Sequence, residues 1–294
     1  MIDKLEMFIA LAQEKHFGRA AEDRGVTQPT LSAGIKQLED QLGVQLVWRG
    51  SRFQGLTPEG QRVLEWARQI VGDARTMREE MRAARRGLSG DLRIAAIPTA
   101  LAMIARLTTP FRAQHPNVRF SVTSRTSQEI LALLENLEID AGITYLDNEP
   151  LGRVATVPLY RERYVYVCRS GTPEAERDAL TWAEAAALPL VLLTPDMQNR
   201  RILNQTFSAV GVSVQPVIEA NSVLVLVSHV IEAGLGAILP RKTTEVFLTG
   251  GALAAVPLVD PDVSHQVGLV APYREPHTPV LDALLRGAHA IAED

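Results

Sequence analysis

At 294 residues, with 46% hydrophobic and 22% charged residues and a mean hydropathy near zero, the chain has the make-up of an ordinary globular protein of two or three domains. No apolar run approaches the roughly 20 residues of a membrane span, and the opening MIDKLEMF is not a basic-then-apolar leader, so a cytoplasmic protein with no membrane partner is expected. A single cysteine, Cys168, excludes an internal disulfide and with it a two-cysteine redox switch, while the net charge of −4 divides into +2 over residues 1–90 and −6 over residues 91–294.

The first predicted helix runs from about Asp3, a candidate N-cap with Glu6 three residues on, to Lys15, with Leu5, Phe8, Ile9 and Ala12 at helical spacing. A short second helix contributes Phe17, Ala20 and Ala21 to the same core and stops at Gly25. A third helix has both ends written in the sequence. Thr27 is its N-cap, Pro29 lies in the first turn where a missing N–H is harmless, and Gly43 suits the left-handed residue that follows the last turn. Leu31, Ile35, Leu38 and Leu42 form its apolar stripe. Gln28, Pro29, Thr30, Ser32, Ala33 and Lys36 are left to face outward, a set that can read base edges and hold phosphate. Val44–Trp48 reads as a strand, Arg49 to Arg52 as a tight basic turn, and Phe53–Thr57 as the return, which makes a β-wing with Arg49 and Arg52 suited to phosphate or minor-groove contact. A polar outer face on one helix is usually only a solvated face. Two helices, a glycine turn, a capped second helix and a basic wing in this order point instead to a DNA-reading unit.

This stretch resembles the N-terminal domain of LysR-type transcriptional regulators: F-x-x-A-A-x-x-x-x-V-T-Q-P-x-L-S-x-x-I-x-x-L-E-x-x-L-G-V-x-L, followed by an arginine and L-T-P-x-G, covers Phe17 to Gly60. Ala33-Gly34 and Val47-Trp48 depart from the family's usual residues, and a glycine inside a helix costs about 1 kcal/mol relative to alanine. The resemblance implies a winged helix-turn-helix, a linker helix and a two-lobed effector domain similar to a periplasmic binding protein. It also implies dimers that pair into tetramers, promoter DNA and a small-molecule effector as partners, with RNA polymerase a further candidate.

After the wing, Thr57-Pro58 opens a long helix to about Leu88, in which Val63, Ala67, Ile70, Ala74, Met77, Met81, Ala84 and Leu88 alternate steps of four and three. That is the period of a coiled-coil seam, so this helix is expected to dimerise; a surface helix lying on the next domain is the alternative. Ser89-Gly90 is a hinge.

From Asp91 strands and helices alternate: strands at 92–97, 118–123, 139–143, 154–159, 164–169, 190–193, 214–219, 237–239 and 266–270, and helices at 99–114, 126–138, 181–187, 198–210, 222–233 and 278–292. The opening βαβαβ implies a mostly parallel sheet covered by helices. The expected division is residues 1–57 as winged helix-turn-helix, 58–90 as linker, and 91–294 as effector domain, with lobe I at about 91–161 and 267–294 and lobe II at about 162–266. The crossovers near Tyr160–Arg163 and His265 follow from the resemblance alone.

Pro98-Thr99-Ala100 and Thr126-Ser127-Gln128-Glu129 each open a helix at the C-terminal end of a strand, where open α/β sheets bind ligands. Hydroxyls and free N–H groups there suit a small anion such as a carboxylate. The alternative is ordinary N-caps. Thr144, next after the third strand, joins the set, and the resemblance adds Pro195, Met197, Gln198, Asn221 and Ser222.

An enzyme is the competing class, and no nucleophile elbow, Walker loop or zinc motif occurs. The six histidines lack metal spacing, and Gly234-Leu235-Gly236 lacks the third glycine of a dinucleotide fingerprint. No metal, no cofactor and no catalysis are expected. Cys168 and His229 read as core residues. A non-switching DNA-binding protein with a purely structural C-terminal domain is the second alternative.

Overall fold

The computed structural model describes every residue except Arg49, Ser51, Arg274, Glu293 and Asp294, and every side chain among the rest except those of Arg86 and Ile291. The chain divides into two compact units, one of Met1–Gly87 with Glu135–Glu138 and Glu275–Pro279, the other of Leu88–Leu134, Ile139–Arg274 and Val280–Asp294.

In the first unit α1 (Ile2–Glu14), α2 (Phe17–Asp23) and α3 (Gln28–Leu42) enclose a core of Leu5, Phe8, Leu11, Ala20, Ala21, Leu31, Ile35 and Leu38. Helix α1 begins before Asp3, which therefore lies in its first turn and is not the N-cap. Glu6 pairs with Arg24. The imidazole of His16 caps α2 by accepting from the N–H groups of Gly18 and Arg19 at 3.1 and 3.3 Å. Leu42 does not complete the α3 stripe. It is 42% exposed, one turn past the buried Leu38. The glycine inside α3 has a packing reason, because a Cβ on Gly34 would lie 2.6 Å from the sulfur of Met7 on α1.

The linker helix α4 (Pro58–Arg86) is 29 residues long and ends at Gly87, where φ turns positive at 70°. Its first half closes the N-terminal core through Leu64 and Ala67, with Val63 packed against them. The seam is thereby corrected at its ends. Val63 and Ala67 belong to that core, and Leu88 lies beyond the helix and packs in the second unit. Ala74 is buried, whereas Ile70, Met77, Met81 and Ala84 remain exposed, joined by Trp66.

The second unit is built on a ten-stranded mixed sheet in the order β2-β1-β3-β10-β4-β8-β6-β7, with β9 on β4 and β5 on β9. The strands are β1 (Gly90–Ala96), β2 (Val118–Ser124), β3 (Ala141–Tyr145), β4 (Val154–Arg169), β5 (Leu180–Thr181), β6 (Leu190–Leu193), β7 (Ile218–Ala220), β8 (Gly236–Pro240), β9 (Leu253–Val259) and β10 (Ser264–Pro272). The two strands expected at 154–159 and 164–169 are one. β4 runs unbroken through 16 residues, its first part paired with β10 and its last part with β8 and β9, so it belongs to both lobes. Pairing is parallel within each lobe (β1 with β2 and β3, β6 with β7 and β8) and antiparallel where β4 and β10 join them.

Helices α5 (Ile104–Gln114), α6 (Ser127–Glu135) and α11 (Pro279–Ile291) accompany the first lobe, and α7 (Trp182–Ala186), α8 (Gln198–Ala209), α9 (Val223–Ala233) and α10 (Arg241–Leu248) the second. The helix expected from Thr99 starts as a 3-10 turn at Pro98–Met103, and α10, β5 and β9 were not anticipated. Among the described residues no helix is long and apolar enough to cross a membrane.

Candidate DNA-reading surface and effector cleft

Helix α3 begins as its sequence dictates. Thr27 accepts from the N–H of Thr30 at 3.4 Å, its hydroxyl lies 2.8 Å from that of Thr30, and Gly43 leaves the helix at φ 71°. Gln28, Pro29, Thr30, Ala33 and Lys36 are exposed and Ser32 is half-buried, so these positions form one solvent face opposite Leu31, Ile35 and Leu38. Among the described residues the wing is tied by an antiparallel bridge, Val47 with Leu56, flanked by Trp48 N–H to the Gly55 carbonyl (3.1 Å) and Thr57 N–H to the Leu46 carbonyl (3.0 Å). Its orientation relative to α3 is set by Glu39, whose carboxylate accepts from the N–H groups of Leu46 and Val47 at 2.8 and 3.3 Å. Thr57 then caps α4 and donates its hydroxyl to the Gln45 carbonyl at 2.6 Å. Arg52 is exposed; Arg49 lies outside the described residues. Glu39 was missed in sequence because an acid in a helix's last turn reads as a solvated charge.

In the second unit a cavity of about 730 Å³ opens between the lobes. Pro98, Leu101, Ala102, Arg125, Thr126 and Glu129 line it from the first lobe, and Asp196, Met197, Asn221, Ser222, Val223, Leu224, Thr243, Val246 and Phe247 from the second. Five of the twelve expected effector residues, Pro98, Thr126, Met197, Asn221 and Ser222, line this cavity. Thr126 and Glu129 form the capping box read from sequence, with the Thr126 N–H on the Glu129 carboxylate at 2.8 Å and the Glu129 N–H on the Thr126 hydroxyl at 3.2 Å.

The other expected positions are not on the cavity wall. Thr99, Ala100, Ser127, Thr144 and Gln198 are buried, while Gln128 and Pro195 are exposed. Several of the buried ones join the lobes directly. The Thr144 hydroxyl faces Gln198 at 3.5 Å, Gln198 donates to the Asp147 carbonyl at 3.4 Å, and the Thr243 hydroxyl donates to the Thr99 carbonyl. Asn199 donates to the Tyr145 hydroxyl at 3.3 Å. Tyr145 in turn donates to Glu162, a fully buried carboxyl on the shared strand, and burial raises Glu162 to about 8. Thr99, Thr144 and Gln198 were expected in the site, whereas Tyr145, Asp147, Glu162, Asn199 and Thr243 carried no sequence signal.

Cys168 lies buried in β4, and burial pushes its thiol up. His229 is half-exposed on α9 and not a core residue, with Nδ1 2.8 Å from the Val225 carbonyl.

Residues 2–61 match the bacterial regulatory helix-turn-helix proteins of the lysR family, and residues 85–290 match the LysR substrate binding domain. The chain belongs to the LysR family. It is a DNA-binding transcriptional regulator and not an enzyme. The chain is 29% identical over 293 residues to the transcriptional dual regulator OxyR of Escherichia coli (99% of this chain, 94% of that protein). It is 31% identical over 290 residues to the SDS degradation transcriptional activation protein of a Pseudomonas species (96% and 93%). The structure of a full-length OxyR variant from Pseudomonas aeruginosa shares the fold at TM-score 0.76 and 24% identity, covering 100% of this chain and 99% of that one. The LysR family regulator CbnR shares it at TM-score 0.62 and 21% identity, with full coverage of both.

Proposed function

We propose that this LysR-family regulator reads promoter DNA through the outer face of α3 and the wing, assembles through α4 into dimers and then tetramers, and switches when a small effector carrying an anionic group enters the cavity between the lobes. The cavity carries this reading. It is roomy enough for a metabolite, its walls combine Leu101, Val223, Leu224 and Phe247 with the N-terminus of α6, and Arg125 stands at its edge. A related protein, CbnR, has been solved in complex with its target DNA, which supports the DNA-reading assignment.

Relatives named for hydrogen peroxide response suggest a peroxide signal. The only thiol in these 294 residues, Cys168, is buried and held in its protonated form, and it has no second cysteine to pair with. A disulfide switch is therefore unsupported here, and a reversibly bound metabolite is favoured. A thermal-shift screen of metabolites tests this, since a specific ligand raises stability by RT ln(1 + [L]/Kd). Carboxylates should dominate the hits and should change promoter affinity. A screen without hits would favour a DNA-binding protein whose C-terminal unit is only structural.

A further inference from the structure

We propose that Arg201 is the anion-recognising residue of the effector site, and that Glu149 occupies it as an internal stand-in for the ligand's carboxylate. This rests on the cleft being the effector site, and it names the residue that gives the cleft its preference for anions.

Glu149 follows β3 in the first lobe, and Arg201 sits in the first turn of α8 in the second. Nε of Arg201 donates to one carboxylate oxygen at 2.5 Å and Nη2 to the other at 2.7 Å, the parallel two-bond geometry in which a guanidinium recognises a carboxylate. Nη2 also reaches the Ser127 hydroxyl at 3.3 Å, and Nη1 is fixed by the Asp196 carbonyl at 2.5 Å. The carboxylate thus shares its guanidinium nitrogen with the first residue of α6, where the helix dipole favours negative charge. Asp196, whose carbonyl fixes Nη1, lines the cavity, as do Thr126 and Met197, so the ion pair is bonded to the cavity wall without itself lining it.

Two further features mark the Glu149 carboxylate as replaceable. Each side chain of the pair is about a quarter exposed, 26% and 25%, so neither charge is sealed in a dry interior that would lock the pair. Glu149 is also presented by a short segment between Asn148 and Gly152, both at positive φ, and by no helix or sheet ladder. Other contacts between the lobes, Asn199 to Tyr145, Thr243 to Thr99 and Gln198 to the Asp147 carbonyl, do not involve Glu149. Ligand binding would therefore free the Glu149 side chain and the residues after Asn148 while the lobes stay joined. Arg201 went unnoticed in sequence because its partner lies 52 residues away.

The test uses purified full-length protein titrated calorimetrically with hexanoate, and with hexanamide as the uncharged isostere. Glu149→Gln removes the internal competitor and keeps its shape. If Glu149 fills the site in nine-tenths or more of the molecules, its removal should tighten hexanoate binding at least about tenfold. Hexanamide binding should not change. Adding Arg201→Gln to Glu149→Gln should abolish the gain. Equal hexanoate affinity in the wild type and Glu149→Gln, or no binding by either, would overturn the proposal, as would hexanoate binding that survives Arg201→Gln. If Glu149→Gln merely loosens the fold, its melting temperature falls with no gain in affinity, which also counts against the proposal. A screening hit unaffected by Arg201→Gln would leave the cleft as the effector site and remove only this assignment.

Discussion

A Cβ placed on Gly60 would sit 2.0 Å from the carbonyl oxygen of Leu46. The start of α4 is thus pressed against the wing's first strand, and the glycine in L-T-P-x-G has a steric reason. The obstructing atom belongs to the backbone and cannot rotate away. Gly60→Ala should therefore cost about 1–3 kcal/mol by overpacking, read as a lower urea midpoint with an unchanged slope. Because the wing moves with Leu46, affinity should fall on specific and random DNA alike. Wild-type stability would show that the Leu46–Thr57 pairing shifts freely.

The two halves of the DNA surface should separate in their effects. Gln28, exposed at the tip of α3, is suited to bidentate contact with adenine, and Arg52, exposed on the wing, to phosphate. Gln28→Ala should relax sequence preference at one base position. Arg52→Ala should weaken every sequence and reduce the slope of log K against log salt by about one unit. Equal losses on specific and random DNA in both variants would remove this division.

What was readable in the sequence was local. Thr27, Pro29 and Gly43 fixed the ends of α3, and Thr126 with Glu129 fixed the start of α6, because cap and partner lie within one turn of each other. Leu42 misled because periodicity continues to a helix's end whether or not a core does. β4 is read as two strands from sequence because the charged run Arg161-Glu162-Arg163 interrupts its apolar pattern. In the fold Pro158 pairs with Gly268 where the register shifts, and Glu162 is buried. Helix α10 hid behind Pro240 and two threonines, poor helix formers whose side chains are here buried, with Thr244 bonded back to the Pro240 carbonyl. The polar contacts between the lobes join residues tens of positions apart, so no pattern within one element could reveal them.

Assembly is testable on α4 without disturbing the fold. Met77 and Met81 are 58% and 61% exposed, whereas Ala67 belongs to the N-terminal core and would report on folding instead. Met77→Asp should leave the melting temperature of the monomer unchanged. It should weaken dimerisation by several kcal/mol by burying a carboxylate in a two-helix seam. Sedimentation at micromolar concentration should show monomers, and an intact dimer would place the interface elsewhere.

The last prediction concerns pH and the lobe junction. Glu162 has an ordinary value of 4.5 and a folded value of about 8, raised by burial against a partial offset from the Tyr145 hydrogen bond, with the Asp147 charge adding to the rise. Tyr145 and Tyr164 are pushed further up by burial and stay neutral throughout this range. Between pH 4.5 and 8 the folded chain therefore holds a proton that the unfolded chain has released. Stability from this group is fully present below 4.5 and is lost as pH rises through the folded value. The slope is up to about 1.4 kcal/mol per pH unit within the window. Glu162→Gln keeps the shape and the neutral charge and should flatten that decline, so its urea midpoint should exceed that of the wild type at pH 8 and approach it near pH 5. Because the Tyr145 hydroxyl also receives Asn199 from the second lobe, ionisation of Glu162 is felt by both lobes. A wild-type pH profile retained in Glu162→Gln would assign the decline to another group.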